Sequence, residues 1–300
     1  MILPTPNHLR AAAACCIALG ATAVGAEDTR PVQDNALTAN VGFASQYIFR
    51  GLTQTNGKPA VQGGVDYAHS SGFYVGTWLS NISWYAQQNA GTVAAPVPLS
   101  SPGLAGAPYL PNKTNSARLE LDLYAGLKNQ FAGNWSYDLG AIRYHYPGTF
   151  DNVGAYRRPE TTELYGAVGY RWFALKYSRV VSPYTFSTND AKGAAYLDLS
   201  ANVPVGESGF NLQLHAGRQT YPGNANFQYF GNSGGNNSFY GYTDYKLGVT
   251  KDWAGLTFGA ALTRADTKAT APDGQTTVYR NASGTNIGGS RLALTISRTF

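Results

Sequence analysis

The chain has 300 residues, of which 13% are charged, and it carries a formal net charge of +5 at pH 7. Charged residues are about half as frequent as in a typical soluble domain, and the positive ones form no runs, which argues against a nucleic-acid-binding surface. Tyrosine (21) and glycine (35) are abundant and methionine occurs only once (1), a composition that favours strands over helices.

The N-terminal segment has the features of a secretory signal peptide. Arg10 precedes a run of small apolar residues, 11–23, that is too short to span a bilayer. Both cysteines, Cys15 and Cys16, lie in this run, so the mature chain is predicted to lack disulfides and thiolate metal sites. The predicted organisation is a signal peptide (1–26), a short periplasmic leader (27–35) and a single barrel domain (36–300).

The rest of the chain is predicted to form about twelve strands, because apolar and polar side chains alternate along it. The connections alternate as well, since those after every second strand are short and the others are long. An even strand number with short periplasmic turns and long extracellular loops is typical of up-and-down antiparallel β-barrels in bacterial outer membranes. The predicted strands are 37–49, 60–68, 73–84, 117–128, 135–146, 162–170, 173–181, 195–203, 210–217, 240–251, 256–264 and 290–300.

One face of these strands is apolar and the other carries many ionisable groups. A dry soluble core cannot hold so many charges, because each unpaired buried charge costs several kcal/mol. We therefore predict that the polar face lines a wet lumen, where acidic residues outnumber basic ones and favour cations. Alternatively, Arg118, Lys176 and Lys246 pair with these acids across strands. The predicted lumen-lining residues are Asp66, Arg118, Glu120, Asp122, Tyr124, Asp138, Glu163, Lys176, Asp198, His215, Asp244 and Lys246.

Aromatic residues cluster at the predicted strand ends and are expected to form two girdles at the membrane interfaces; the alternative is core packing. One girdle lies beside the short turns (Trp135, Trp172, Trp253) and one beside the long loops (Tyr47, Phe49, Tyr144, Tyr146). The last strand ends on Phe300, also placed at an interface. This ending resembles the terminal strand of bacterial outer-membrane barrels, which implies contact with the barrel-assembly machinery.

Several sequence blocks together resemble the TorF porin family, whose members are predicted outer-membrane β-barrels of poorly defined function. The resemblance implies an envelope barrel over nearly all of the mature chain and supplies no catalytic or ligand residues. The blocks are Phe49-Arg50-Gly51, Gln54 to Ala60, Gln62 to Tyr67, Gly72-Phe73-Tyr74, Tyr144 to Gly148, Glu163-Leu164-Tyr165, Tyr196-Leu197-Asp198 and Tyr242 to Tyr245.

The first functional hypothesis is a porin-like channel for passive diffusion of small hydrophilic solutes, in contact with outer-membrane lipid and lipopolysaccharide. Barrels of about 8 strands are filled by side chains, and those of about 16 to 18 strands enclose an aqueous channel. A barrel of twelve strands is expected to have a bore of intermediate width. Whether the long loop 85–116 folds into the lumen is left open. No cofactor, metal or catalytic residue is predicted.

Two alternatives remain from the sequence. The first is an outer-membrane barrel enzyme of the lipase or protease type, for which His69, His145 and His215 are the available bases. No Gly-x-Ser-x-Gly motif accompanies these histidines, so we expect no enzyme. The second is a structural or adhesive barrel with a plugged lumen.

Overall fold

The computed structural model describes residues 35–85, 116–149, 158–188, 191–223, 236–268, 279–281 and 284–300. Twelve antiparallel strands in this part of the chain form a closed barrel, and a further two form a small hairpin. The strands are β1 (Ala36–Ala44), β2 (Ile48–Phe49), β3 (Leu52–Thr53), β4 (Ala60–Ala68), β5 (Phe73–Asn81), β6 (Leu119–Phe131), β7 (Trp135–His145), β8 (Thr161–Tyr170), β9 (Phe173–Val180), β10 (Ala195–Pro204), β11 (Phe210–Thr220), β12 (Tyr242–Trp253), β13 (Leu256–Ala265) and β14 (Arg291–Thr299).

The first and last strands close the barrel against each other. Phe43 on β1 pairs with Ile296 on β14 and with Val61 on β4, so β1 is bonded on both sides and the barrel has no open edge. The prediction of an antiparallel barrel of about twelve strands is therefore confirmed. One short helix, α1 (Asn236–Tyr240), lies between β11 and β12. Among the described residues, no helix is long and apolar enough to cross a membrane.

The connections differ in length at the two ends of the barrel, as the sequence pattern predicts. We call these the short-turn end and the long-loop end. Positive backbone φ angles at Gly72, Arg171 and Gly255 allow the tight reversals at the short-turn end. The short turns are 69–72, 132–134, 171–172, 205–209 and 254–255, whereas the long connections are 45–59, 82–118, 146–160, 181–194, 221–241 and 266–290.

The two faces of the barrel wall have opposite chemistry. Outward side chains in the middle of the strands are apolar and exposed, as at Leu199 (53%) and Leu214 (41%). Inward side chains include buried charged residues such as Asp122 and Asp244. A water-soluble barrel has the reverse arrangement, with apolar residues inside, so the outer surface is suited to hydrocarbon.

The predicted C-terminal boundary of the first strand, 37–49, is wrong. β1 ends at Ala44, and the following residues leave the wall and turn into the barrel. The whole predicted signal peptide, all of the predicted leader except Asn35 and most of the long loop 85–116 lie outside the described residues. Those boundaries remain predictions.

Candidate functional site: a hairpin inside the lumen

Residues 45–59, here called the inward hairpin, carry the centre of the site. Two tight turns shape it. Arg50 and Gly51 both have positive φ angles (46° and 75°) and join β2 to β3, which is the backbone form of a two-residue hairpin turn. Asn56 and Gly57 repeat this form (52° and 78°) and return the chain to β4. The segment thus folds back on itself rather than extending the wall.

Arg50 at the hairpin tip binds the wall opposite to β1. Its guanidinium forms a two-pronged ion pair with Glu163 on β8, at 2.9 Å from Nη1 to Oε1 and 2.7 Å from Nη2 to Oε2. Nη1 also donates to Oε1 of Gln219 on β11 (3.0 Å), and the group lies 4.2 Å from the ring centroid of Tyr196 on β10. Arg50 and Glu163 are both almost fully buried. A planar guanidinium with a matched carboxylate is a strong, directional contact.

The two sides of the hairpin are bonded as well. The hydroxyl of Tyr47 donates to Oε1 of Glu120 on β6 at 2.6 Å. The backbone N–H of Thr53 donates to the carbonyl of Ile287 at 3.0 Å, and the carbonyl of Gln54 accepts from two residues after β5. The hairpin therefore crosses the long-loop half of the lumen and is fixed at its tip, on its flanks and at its base.

Tyrosine hydroxyls contact most of the inward carboxylates. Tyr124 donates to Asp66 (2.5 Å), Tyr74 to Asp138 (2.6 Å), Tyr196 to Asp244 (2.7 Å) and Tyr144 to Glu163 (3.3 Å). These neutral donors satisfy the carboxylates without cancelling their charge.

The basic side chains of the lumen are also engaged. His215 lies between two carboxylates, with Nδ1 3.0 Å from Asp198 and Nε2 2.9 Å from Asp244. The Lys176 amine lies 3.9 Å from the ring centroid of Tyr165. The cross-strand alternative named Arg118, Lys176 and Lys246, whereas the buried ion pairs observed here are those of His215 and Arg50, which it did not include.

Asp122 differs from the other inward carboxylates. It is fully buried, and neither of its oxygens has a hydrogen-bond partner in the described structure. It shares a strand and a face with Glu120, two residues earlier. This part of the lumen is therefore rich in negative charge, yet the described residues include no group of three or more His, Cys, Asp or Glu arranged to hold a metal ion.

All but one of the predicted lumen-lining residues lie on strands with their side chains inside or partly inside the barrel. The exception is Arg118, which is exposed and precedes β6. The predicted strand 117–128 starts two residues too early, since β6 begins at Leu119, and the assignment of Arg118 to the lumen remains a prediction.

The predicted aromatic girdle divides into two cases. Trp135, Trp172, Trp253 and Phe300 are exposed on the outside near the short-turn end. The girdle predicted beside the long loops is wrong, because its side chains pack inside the barrel around the inward hairpin. Tyr47, Tyr144 and Tyr146 are buried, and Phe49 packs against Tyr144 with ring centroids 5.6 Å apart.

A second group of tyrosines covers the other side of the hairpin. Tyr221, Tyr242 and Tyr279 form a buried cluster with Ile287, and Leu52 of the hairpin packs against it. Burial raises the pKa of Tyr221 to about 12 and raises that of Tyr279 well above its usual value, so both phenols are neutral at physiological pH. The described long-loop end is thus filled by aromatic side chains on both sides of the hairpin.

The sequence interpretation missed Arg50, Gly51 and Gln219 as site residues. Two turn-forming pairs, Arg50-Gly51 and Asn56-Gly57, stand only six residues apart, which is a recognisable signal for a compact hairpin. Nothing in the local pattern indicates that such a hairpin folds inward. Gln219 carries no local signal at all.

Comparison with known proteins places the chain in a family. A protein-family model matches residues 28–300. The chain belongs to that family, Gcw_chp, described as a bacterial protein of unknown function. The model does not carry the TorF name, so the TorF resemblance remains a prediction. No curated protein matches the sequence.

Solved structures with similar folds are outer-membrane proteins. The KdgM porin matches at 6% identity and a TM-score of 0.46, over 88% of this chain and 99% of that one. An outer-membrane channel from Pseudomonas putida F1 matches at 14% identity and a TM-score of 0.47, over 91% of this chain and 98% of that one. OprD from Pseudomonas aeruginosa matches at 12% identity and a TM-score of 0.37, over 89% of this chain and 65% of that one. Values this low carry no argument about solute or mechanism.

Proposed function

We propose that this protein is an outer-membrane channel for passive diffusion of small hydrophilic solutes, with the inward hairpin as its constriction. The observation that carries the proposal is the chemistry of the two faces, an apolar exterior around a lumen lined by charged and polar side chains. Lipid on the outside and water on the inside satisfy both faces at once.

The shape of the lumen supports a constriction at one end. Around the middle of β1, β4, β12 and β14 the inward residues include the small or polar Asn40, Gly64, Gly248 and Thr295, and all but Gly248 are at least partly exposed. Near the long loops the hairpin and its tyrosines fill the section. A solute entering from the short-turn end therefore passes these positions before it reaches the Arg50 contacts.

The test is single-channel recording in planar bilayers on wild-type protein and on a variant in which 46–57 is replaced by a short Gly/Ser linker. We expect small conductance steps for the wild type and larger ones for the shortened variant. If both proteins insert and neither conducts, the channel proposal is wrong.

A plugged structural or adhesive barrel is the second candidate, and the tight burial of Arg50 favours it. A plugged barrel would conduct only after the hairpin is removed, and the wild-type protein would not conduct at any voltage. That result distinguishes the plugged barrel from the channel. The enzyme alternative has less support, since no described histidine contacts both a serine and a carboxylate. His69 bonds Ser71, whereas His145 and His215 face carboxylates.

A further inference from the structure

Four arginines on the outer wall form a feature that the channel proposal does not use. Arg143, Arg179, Arg218 and Arg264 lie near the long-loop ends of β7, β9, β11 and β13. All four are exposed, and the next residue along the chain is buried inside the barrel in each case. Their side chains therefore belong to the outward face.

Each arginine ends an outward row of apolar side chains that starts at the short turns. On β7 the row is Trp135, Tyr137, Leu139 and Ala141 before Arg143, and the other three strands repeat the pattern. At a rise of about 3.3 Å per residue and a tilt near 40°, Arg143 stands about 20 Å above Trp135. That height is close to the apolar band of about 25 Å in outer-membrane barrels.

The strand register places the four arginines at one height. Arg143 pairs with Thr162 on β8, and Arg179 pairs with Leu164, two residues further from the long loops. The same two-residue step separates the partners of Arg179 and Arg218 on β10, which are Ala195 and Leu197.

The step recurs between Arg218 and Arg264, whose partners on β12 are Thr243 and Tyr245. Because barrel strands are tilted, residues paired on neighbouring strands lie at different heights along the barrel axis. A constant shift of two residues from one arginine to the next compensates for this difference. The arginines thus form a level row with neighbours roughly 10 to 12 Å apart.

No carboxylate in the described part of the chain forms an ion pair with any of the four. Arg143 and Arg218 each donate to a neighbouring threonine hydroxyl, at 3.2 and 3.0 Å. The outward cations at the short-turn end differ, since Lys251 and Arg298 lie over the rings of Phe210 and Phe300. Unpaired guanidinium groups at the rim of an apolar belt match phosphate oxygens of lipid headgroups.

We propose that this arginine row binds the phosphates of lipopolysaccharide in the leaflet that surrounds the long loops. A glycolipid with two phosphates on a rigid sugar core can engage two neighbouring arginines at once, which a single-phosphate lipid cannot. The inference depends on the proposed membrane location and is independent of conduction.

The test compares two charge-matched triple variants by native mass spectrometry in detergent, with lipid A carrying two phosphates as the probe and fully dephosphorylated lipid A as its control. The first variant changes three residues of the arginine row, Arg179, Arg218 and Arg264, to Gln. The second is the control and changes three outward cations at the short-turn end, Arg171, Lys251 and Arg298, to Gln. We expect the first to bind the phosphorylated lipid on the order of 100-fold more weakly than wild type, and the second to stay within about twofold.

Heat-dependent gel mobility reports folding. If the first triple variant does not fold, the double variant Arg143→Gln/Arg179→Gln takes its place, with an expected loss of roughly 30-fold. Equal binding by both triple variants, or equal binding of the two lipids by wild type, overturns the inference. Wild-type protein that conducts but does not prefer the phosphorylated lipid would overturn it and leave the channel proposal intact.

Discussion

Arg50 and Glu163 form a two-pronged ion pair, at 2.7 and 2.9 Å, between a hairpin that starts beside β1 and a strand on the far side of the barrel. Counted around the wall from β1, β8 is the seventh strand in one direction and the fifth in the other, so the pair joins nearly opposite sides. Breaking such a buried pair by removing one partner typically costs about 3 to 5 kcal/mol. The pair is therefore the contact that most directly holds the hairpin tip in the lumen.

Changing either partner is expected to loosen the hairpin, but with opposite effects on ion selectivity. Arg50→Gln leaves the Glu163 carboxylate uncovered beside Asp122, so the preference for cations should rise. Glu163→Gln leaves the guanidinium unpaired, so that preference should fall. Both variants should conduct more than wild type. Reversal potentials in a potassium chloride gradient measure the selectivity of each.

Lys192→Gln is the control for that experiment, because Lys192 is exposed in the connection after β9. It should change neither conductance nor selectivity by more than about twofold, since exposed loop charges are screened at physiological salt. Selectivity changes of the same sign in the two lumen variants would contradict the proposed role of the pair.

The hairpin tip also requires a residue without a side chain. A Cβ at Gly51 would lie 2.5 Å from Cβ of Asp244, and its φ angle is 75°. Gly57 has nearly the same angle, 78°, but a Cβ there would meet nothing within 4 Å. Gly51→Ala is expected to destabilise the fold by about 2 to 4 kcal/mol or to displace the tip, whereas Gly57→Ala costs about 1 to 2.

Urea unfolding in detergent measures the difference between these two alanine variants, and conductance shows whether the tip has moved. Equal unfolding midpoints together with unchanged conductance would mean that the tip is not packed against Asp244.

The barrel itself was predictable because side-chain alternation is a local property. Apolar and polar residues alternate on segment 117–128 without reference to any other strand, and the lengths of the connections can be read directly. The division into two faces follows from the same alternation, and Glu120, Asp198 and Asp244 are buried on the face opposite the exposed leucines. Only the strand ends moved, as at Arg118.

The inward hairpin was not predictable in the same way, because its position depends on contacts distant in sequence. Arg50 meets Glu163 and Gln219, which are 113 and 169 residues away. Tyr47 and Phe49 continue the alternation of β1, so their pattern alone indicates a wall position. The tyrosines near the long loops occupy the strand ends, where an interface girdle is expected. They pack inside the lumen instead because the hairpin supplies contacts for them there.

The five tryptophans divide into an inner and an outer set, which fluorescence can distinguish. Trp135, Trp172 and Trp253 are exposed on the outer wall, whereas Trp78 is buried inside beside Tyr47. In vesicles of brominated lipid, a variant that keeps only Trp135 should lose most of its fluorescence. A variant that keeps only Trp78 should lose little, because bromine quenches at contact range. Equal quenching of the two would show that the faces are wrongly assigned.

The outer face should reject charge in a way that a soluble protein surface does not. Leu199 is about half exposed at the centre of β10, so in water Leu199→Lys would be nearly neutral. In a bilayer it is expected to cost about 2 to 4 kcal/mol, as lysine does near the midplane of other barrels. Val205→Lys is the matched control, because Val205 is equally exposed but lies in a short turn, where the cost falls to about 0 to 1 kcal/mol. Equilibrium unfolding in lipid vesicles measures both. A Leu199→Lys protein as stable as the Val205→Lys protein would mean that water, and not hydrocarbon, surrounds the barrel.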